Sequence, residues 1–215
     1  MTSIATWQHS AVSLDKRGRR LVIDPGVYSD ATALHGADAV LVTHDHADHL
    51  DVNALAAVTA PIWAGKDVVA VLSDGGVDPD RLHVVAPGDR FVAAGFEVQV
   101  LGGAHAIIHR DLPAESNLAF LIDDHVLHPG DSFTPAPDGA RIDVLFLPIA
   151  APWLDLGAAV DYARSAAPGA VVPIHDATLS EGGRALTDRI TQALLDPIGY
   201  RRIEPGETIE VSSQH

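Results

Sequence analysis

Short apolar runs, broken by polar residues or by Gly and Pro, fill the start of the chain. Thr2–Trp7, Ala11–Leu14 and Leu21–Ile23 read as strands, and Lys16-Arg17-Gly18-Arg19 reads as the hairpin loop between the last two. Ala39–Thr43 shows no alternation up to His44, the pattern of a strand buried on both faces. Val52, Leu55 and Ala56 then recur at helical spacing, with Asp48 or Asp51 as the cap. Pro61–Ala64 predicts a strand, Lys66–Leu72 a helix, and Ser73-Asp74-Gly75-Gly76 a loop. Leu82–Val85, Arg90–Val92 and Phe96–Leu101 alternate like a β meander, and Leu118–Ile122 and Val144–Pro148 are further apolar strands. Leu156, Ala159, Val160 and Ala163 follow the i, i+3, i+4, i+7 spacing of an amphipathic helix. Val171–Ile174 is a core strand, Leu186, Ile190, Ala193 and Leu194 mark a last helix, and Thr208–Val211 closes as a strand.

The elements alternate loosely in two halves that meet near Leu112–Ser116, with no low-complexity linker between them. A single domain over residues 1–215 of layered α/β or α+β class is expected.

Composition narrows the function. Hydrophobic residues are 47% and charged residues 20%, enough apolar material for a real core. Acids outnumber bases 29 to 14, for a formal net charge of −15. That field repels phosphate backbones and anionic membranes, so neither a nucleic-acid nor a membrane partner is expected, and a small-molecule substrate is. A homo-oligomer is left open. There is no cysteine, which excludes disulfides and thiolate metal sites. No apolar run reaches the roughly 18 residues that span a bilayer. Met1–Arg20 lacks the apolar stretch of a signal peptide, so the expected location is cytoplasmic.

The chemistry is concentrated in Thr43-His44-Asp45-His46-Ala47-Asp48-His49, an H-x-H-x-D-H motif between a buried strand and a helix. Open α/β sheets place ligands in that position. His44 and His46, two apart, can turn toward one ion, and Asp48 and His49 toward a neighbouring one. Four ligands do not complete two sites. His105 after Gly102-Gly103, Asp131 in His128-Pro129-Gly130-Asp131, and His175 after Val171–Ile174 each stand just past a strand and are the remaining candidates.

This ordered set resembles the metallo-β-lactamase-fold hydrolases across essentially the whole chain. It is most similar to the compact bacterial branch that includes ascorbate-phosphate lactonase and the N-acylphosphatidylethanolamine phospholipase D group. That branch tends to open with a His near the first strand and an Ile-Asp-Pro after the third, where His9 and Ile23-Asp24-Pro25 stand. Asn117 falls where the branch often carries a polar residue. The resemblance implies an αβ/βα sandwich of two mixed sheets. His44, His46 and His105 would bind a first metal; Asp48, His49 and His175 a second; Asp131 would bridge them. Members with a cysteine ligand are excluded by composition, and the nucleases of this fold by the short acidic chain.

Imidazole and carboxylate donors without thiolate suit Zn, Mn, Fe, Co or Ni and do not choose among them; two zinc ions are expected, with manganese or iron as alternatives. Two such ions lower the pKa of a shared water to about 7, so a metal-bound hydroxide attacking a small ester, lactone or phosphoester is the expected reaction. Asp48, His109 and His9 are candidates to move the leaving-group proton, His109 first because it lies four residues from His105; Arg110 would then hold an anionic substrate group. His109 and Arg110 also read as ordinary solvated loop residues. His9, Asp24 and His128 either tie down turns or orient ligand histidines. Trp153 packs or lines a pocket, and His35, His83, His125 and His215 read as surface. The competing functional classes are a non-haem iron oxidoreductase of the same fold and a non-catalytic metal-binding module.

Overall fold

Alternate residues of the central strands point into two different apolar layers, and this fixes the architecture. The structure is a computed structural model that describes residues 1–204 and 206–211; His215 lies outside them. One sheet contains β1 (Thr2–Thr6), β2 (Val12–Lys16), β3 (Arg19–Ile23), β4 (Ala39–Val42), β5 (Ile62–Ala64), β6 (Leu82–Val84) and the closing strand β13 (Ile209–Val211). Its order is β13-β1-β2-β3-β4-β5-β6, antiparallel through β3 and parallel from β3 to β6. The second holds β7 (Arg90–Ala93), β8 (Phe96–Gly102), β9 (Leu118–Ile122), β10 (Val126–His128), β11 (Val144–Pro148) and β12 (Ala170–Ile174), ordered β12-β11-β10-β9-β8-β7. It is parallel from β12 to β10 and antiparallel beyond.

Leu21, Ile23, Ala39 and Leu41 meet Phe120, Ile122, Phe146 and Val172 between the sheets. Val22, Val40 and Val42 point the other way, onto Leu55 of α1 (Val52–Ala56) and Val68 and Leu72 of α2 (Lys66–Asp74). Leu121, Leu145 and Leu147 likewise meet Ala159, Val160 and Ala163 of α3 (Leu156–Ala166). The protein is therefore the expected four-layer sandwich of two mixed sheets with helices outside. The fully buried β4 and β11 carry no polar alternation because both of their faces are covered.

Several local expectations are refined. The hairpin between β2 and β3 is a two-residue loop with Arg17 and Gly18 both at positive φ, +54° and +74°, the mirror-image turn whose twist matches the strands. Asp51, not Asp48, caps α1, accepting the Ala54 N–H. α2 runs on through Asp74 to a Gly75 cap. α4 (Glu181–Leu194) starts well before Leu186 because Ser180 caps it through the Gly183 N–H. Its apolar stripe lies largely outside the core: Leu186, Ile190 and Leu194 are exposed. His35 and His83 are exposed, but His125 is buried, its Nδ1 2.7 Å from the Asp123 carbonyl. Among the described residues no helix is long and apolar enough to cross a membrane.

Candidate metal centre

The chain leaves β4 still inside the protein, so the motif starts buried: His44 and His49 have no exposed surface. The His46 carbonyl accepts the N–H groups of both His49 and Leu50, at 2.9 Å each, which folds the motif into one tight turn. Val27 N–H bonds the Ala47 carbonyl and Asp51 N–H bonds that of Pro25, pinning the turn to the loop after β3. Gly26 permits this contact. A Cβ there would stand 2.0 Å from the Asp48 carbonyl oxygen and 2.5 Å from the His49 nitrogen.

The other candidates arrive from β-strand ends. His105 follows β8, Asp131 follows β10 and His175 follows β12, where His175 takes a positive φ of 62° and donates its N–H to the His9 carbonyl. Asn117 sets the Asp131 turn, accepting the Asp131 N–H and donating to the Pro129 carbonyl, both at 2.9 Å. The result is two groups of ligand atoms, each lying within 4.8 Å of one another: His44, His46, His105 and Asp131 in one, His9, Asp48, His49 and His175 in the other. Asp131 sits between them. Its Oδ1 is 3.1 Å from His49 Nε2, and its Oδ2 is 3.1 Å from His175 Nε2 and 3.5 Å from His105 Nε2.

These donors aim at a common space more than at one another. His44 Nε2, His105 Nε2, His175 Nε2 and Asp131 Oδ1 are buried without a hydrogen-bond partner; among the described residues only Thr191 Oγ1 shares that condition. Buried polar atoms are normally satisfied, so four orphans converging at one place fit a site built for cations.

The tautomers agree. His49 Nδ1 donates to Asp24 Oδ2 at 2.7 Å, His105 Nδ1 to the Ala106 carbonyl at 2.6 Å, His175 Nδ1 to the Ala150 carbonyl at 2.5 Å, and His44 Nδ1 to Thr43 Oγ1 at 3.0 Å. Each bond fixes the proton on Nδ1 and leaves the Nε2 lone pair facing inward. His9 is the opposite case. Its Nδ1 accepts the Ala177 N–H at 3.2 Å, so its Nε2–H donates to Asp48 Oδ2 at 3.0 Å, and it positions that carboxylate instead of offering a lone pair.

Electrostatics follow from this crowding. Burial favours the neutral imidazole at His44 and lowers its pKa well below the ordinary value, with His49 adding to the effect. Burial works against ionising Asp131, but the charge of His49 beside it holds the carboxyl well below the usual range.

All seven ligand candidates, His44, His46, Asp48, His49, His105, Asp131 and His175, are thus brought together, with His9 against Asp48. Asp24 is fully buried and does both things the sequence left open: it takes the Thr43 N–H and O–H and it orients His49. His128 is buried, its Nε2 3.1 Å from the Ser10 carbonyl. His109 is not at the cluster. It is 60% exposed, its Nδ1 accepts the Asp111 N–H, and it stands 3.6 Å from the Asp111 carboxylate. Arg110 is 89% exposed and also turns to Asp111, at 3.9 Å, which leaves it poorly placed as an anion clamp.

Two residues enter that sequence reasoning missed or undervalued. Glu115 Oε2 lies 2.7 Å from His46 Nε2. Trp153 lines the pocket over the cluster and donates Nε1–H to Asp131 Oδ2 at 2.9 Å. Neither position has a local signal, because loop length alone decides what reaches the site.

Comparison with known proteins agrees with this geometry. The sequence pattern of the beta-lactamase superfamily domain matches residues 3–175. The protein Rv0786c of Mycobacterium tuberculosis is 36% identical over 191 residues, covering 83% of this chain and 85% of that one. A protein of Escherichia fergusonii named for L-ascorbate-6-phosphate lactonase, UlaG, is 37% identical over 101 residues, but these span only 28% of its length. In fold, the chain is similar to Igni18, a metallo hydrolase of the archaeon Ignicoccus hospitalis, with a TM-score of 0.75 at 19% identity and 99% of both chains covered. A family pattern covering most of the chain and a relative aligned along most of both lengths show that the chain belongs to the beta-lactamase superfamily domain family, on the metallo-β-lactamase fold of metal-dependent hydrolases.

Proposed function

We propose that this protein is a hydrolase of a small ester, lactone or phosphoester that works with two divalent metal ions, zinc first. The observation that carries the reading is the set of buried, unpartnered Nε2 and carboxylate atoms converging in one place. His44, His46 and His105 would hold one ion, Asp48, His49 and His175 the other, with Asp131 shared. Bound there, the ions supply Lewis acidity and lower the pKa of a water to about 7.

The protein's own groups do the rest. Asp24, Ala106 and Ala150 fix a proton on the far nitrogen of His49, His105 and His175, so Nε2 is the nitrogen each ring would give to an ion. Trp153 holds Asp131 in place and lines the pocket. Asp48 lines the same pocket, is a quarter exposed, and is steadied by His9. It is the carboxylate that can take a proton from an attacking water and pass it to a leaving group.

The test is elemental analysis of metals per chain in wild type and His46→Ala, followed by an ester, lactone and phosphoester panel. About two equivalents in wild type, as a two-metal site requires, should fall sharply in the variant. A wild-type protein that neither retains nor takes up metal would sink the reading.

A further inference from the structure

The metal pocket shares two of its lining residues with a second space. The chain between β8 and β9 is pinched at its base, where Gly103 N–H bonds the Asn117 carbonyl at 2.8 Å and His105 N–H bonds that of Glu115 at 3.0 Å. The protruding turn beyond the pinch encloses a cleft of about 480 Å³, within the range of small-molecule sites. His105 and Ile108 belong to both spaces, and Glu115, paired with His46, stands at the junction.

The cleft is mostly apolar, with His105, His109, Arg110 and Glu115 as its polar lining. Its large side chains are Ile107, Ile108 and Leu112, which are 79%, 39% and 54% exposed, with alanines and Pro113 around them. Three bare aliphatic side chains within six residues, beside a catalytic pocket, are what a binding surface shows before it is covered. Charge at the rim offers little to an anion. Arg110 and His109 each face the Asp111 carboxylate, and Glu115 adds a further negative group. Among the described residues no lysine or arginine lines the metal pocket itself.

Resting on the hydrolase reading above, we infer that this cleft receives an uncharged, apolar acyl or alkyl arm of the substrate, and that Ile108 and Leu112 determine its specificity. The reacting carbonyl then lies toward His105 and Asp131 and the aliphatic arm runs out along Ile108 to Leu112. A sugar phosphate would find a single cation there, Arg110, already turned to the Asp111 carboxylate, against a wall that is mostly aliphatic. The substrate class is a hydrophobic ester, lactone or amide.

Straight-chain alkyl hydroxamates separate the two claims, because the head group chelates metal and the tail samples the cleft. Calorimetry on the zinc-loaded full chain would use acetohydroxamate through octanohydroxamate, with a carboxylate-ended analogue of matched length. Each methylene seated in the cleft should tighten binding about threefold to fourfold until the space is full. The charged tail should bind worse than its neutral match. Leu112→Asp, at an exposed position outside the metal pocket's lining, should flatten the series with metal per chain unchanged, and Ile108→Ala should shorten it. A flat series in wild type that still binds acetohydroxamate overturns the cleft and spares the hydrolase reading. So does a slope that survives both substitutions, or a preference for the charged tail. Zinc-loaded protein that binds no hydroxamate overturns both.

Discussion

Asp24 makes the sharpest test of how the site is built, because one atom decides the tautomer of one ligand. Its carboxylate is fully buried; Oδ1 accepts the Thr43 N–H at 2.8 Å, and Oδ2 accepts the Thr43 hydroxyl and His49 Nδ1–H, both at 2.7 Å. In Asp24→Asn the shape and the positive φ of 51° are both tolerated. The amide can fit in only one sense. The Thr43 backbone N–H cannot become an acceptor, so the oxygen must stay at the Oδ1 position and the NH₂ must replace Oδ2. The Thr43 hydroxyl can rotate to accept, but His49 must then move its proton from Nδ1 to Nε2, where the inward lone pair was. Removing such an orienting partner typically weakens metal binding 10- to 100-fold, which is about 1.4–2.7 kcal/mol. Asp24→Ala instead strands up to three buried donors at about 1–3 kcal/mol each, so it should cost stability as well. The assay is chelator competition for zinc, with thermal melts of metal-free protein and ¹⁵N histidine spectra to read the tautomer. The expected result is an Asn variant that folds like wild type but loses affinity and shows His49 protonated at Nε2. Unchanged zinc affinity in Asp24→Asn would falsify the argument that Nδ1–H donation prepares this ligand.

Two further outcomes follow from the geometry. Gly26→Ala places a methyl group 2.0 Å from the Asp48 backbone oxygen, a clash that no rotamer relieves. The motif turn must move, so metal per chain should fall even though Gly26 binds nothing; a variant with full metal content and an unchanged melting temperature would contradict the packing argument. The pH dependence of the metal-free protein has a definite sign. Burial works to lower the pKa of His49, but the Asp131 and Asp24 carboxylates override it and push the group up to about 10 from 6.5. At His175 burial is likewise overridden, by Asp131 and Asp48, and the value rises to about 9. A raised folded-state pKa contributes stability that is complete below 6.5 and lost as pH climbs through 9 to 10. Melting temperatures of chelator-treated protein should therefore drop across that window, and zinc, which takes the protons' place, should remove the drop. A parallel decline with and without zinc would contradict the assignment of these protons to the ligand cluster.

The layers were legible where periodicity met burial on both faces. Ala39–Thr43 reads as a strand covered on two sides and Val144–Pro148 as a further apolar strand; the structure buries both faces of each, with helices outside and the other sheet inside. The weaker signals concerned ends and surfaces. Capped by Ser180, α4 begins at Glu181, ahead of the stripe of Leu186, Ile190 and Leu194, and that stripe predicts a helix without saying whether anything covers it. His125 reads as a surface residue in sequence, yet its ring nitrogen bonds the Asp123 carbonyl two residues away and the ring sinks inward.

In the site, the ligand set was legible for a different reason. Each candidate stands at the C-terminal end of a strand, and a sheet brings its strand ends to one edge whatever the sequence distance between them. His105 and His175, 70 residues apart in sequence, both reach Asp131 because β8, β10 and β12 of one sheet end at the same edge, and β4 of the facing sheet brings His44 and His49 there. Residues whose placement depends on loop shape obey no such rule. His109, four residues from His105, was expected near the chemistry, but the turn that carries it folds outward and hands it to Asp111. Glu115 carried no motif and reaches His46 because the same turn returns there, its carbonyl bonded to the His105 N–H. The loop that removed His109 from the cluster thus put Glu115 and Ile108 against it. On the proposed reading substrate choice belongs to that loop, while the strand ends set where the cations would sit.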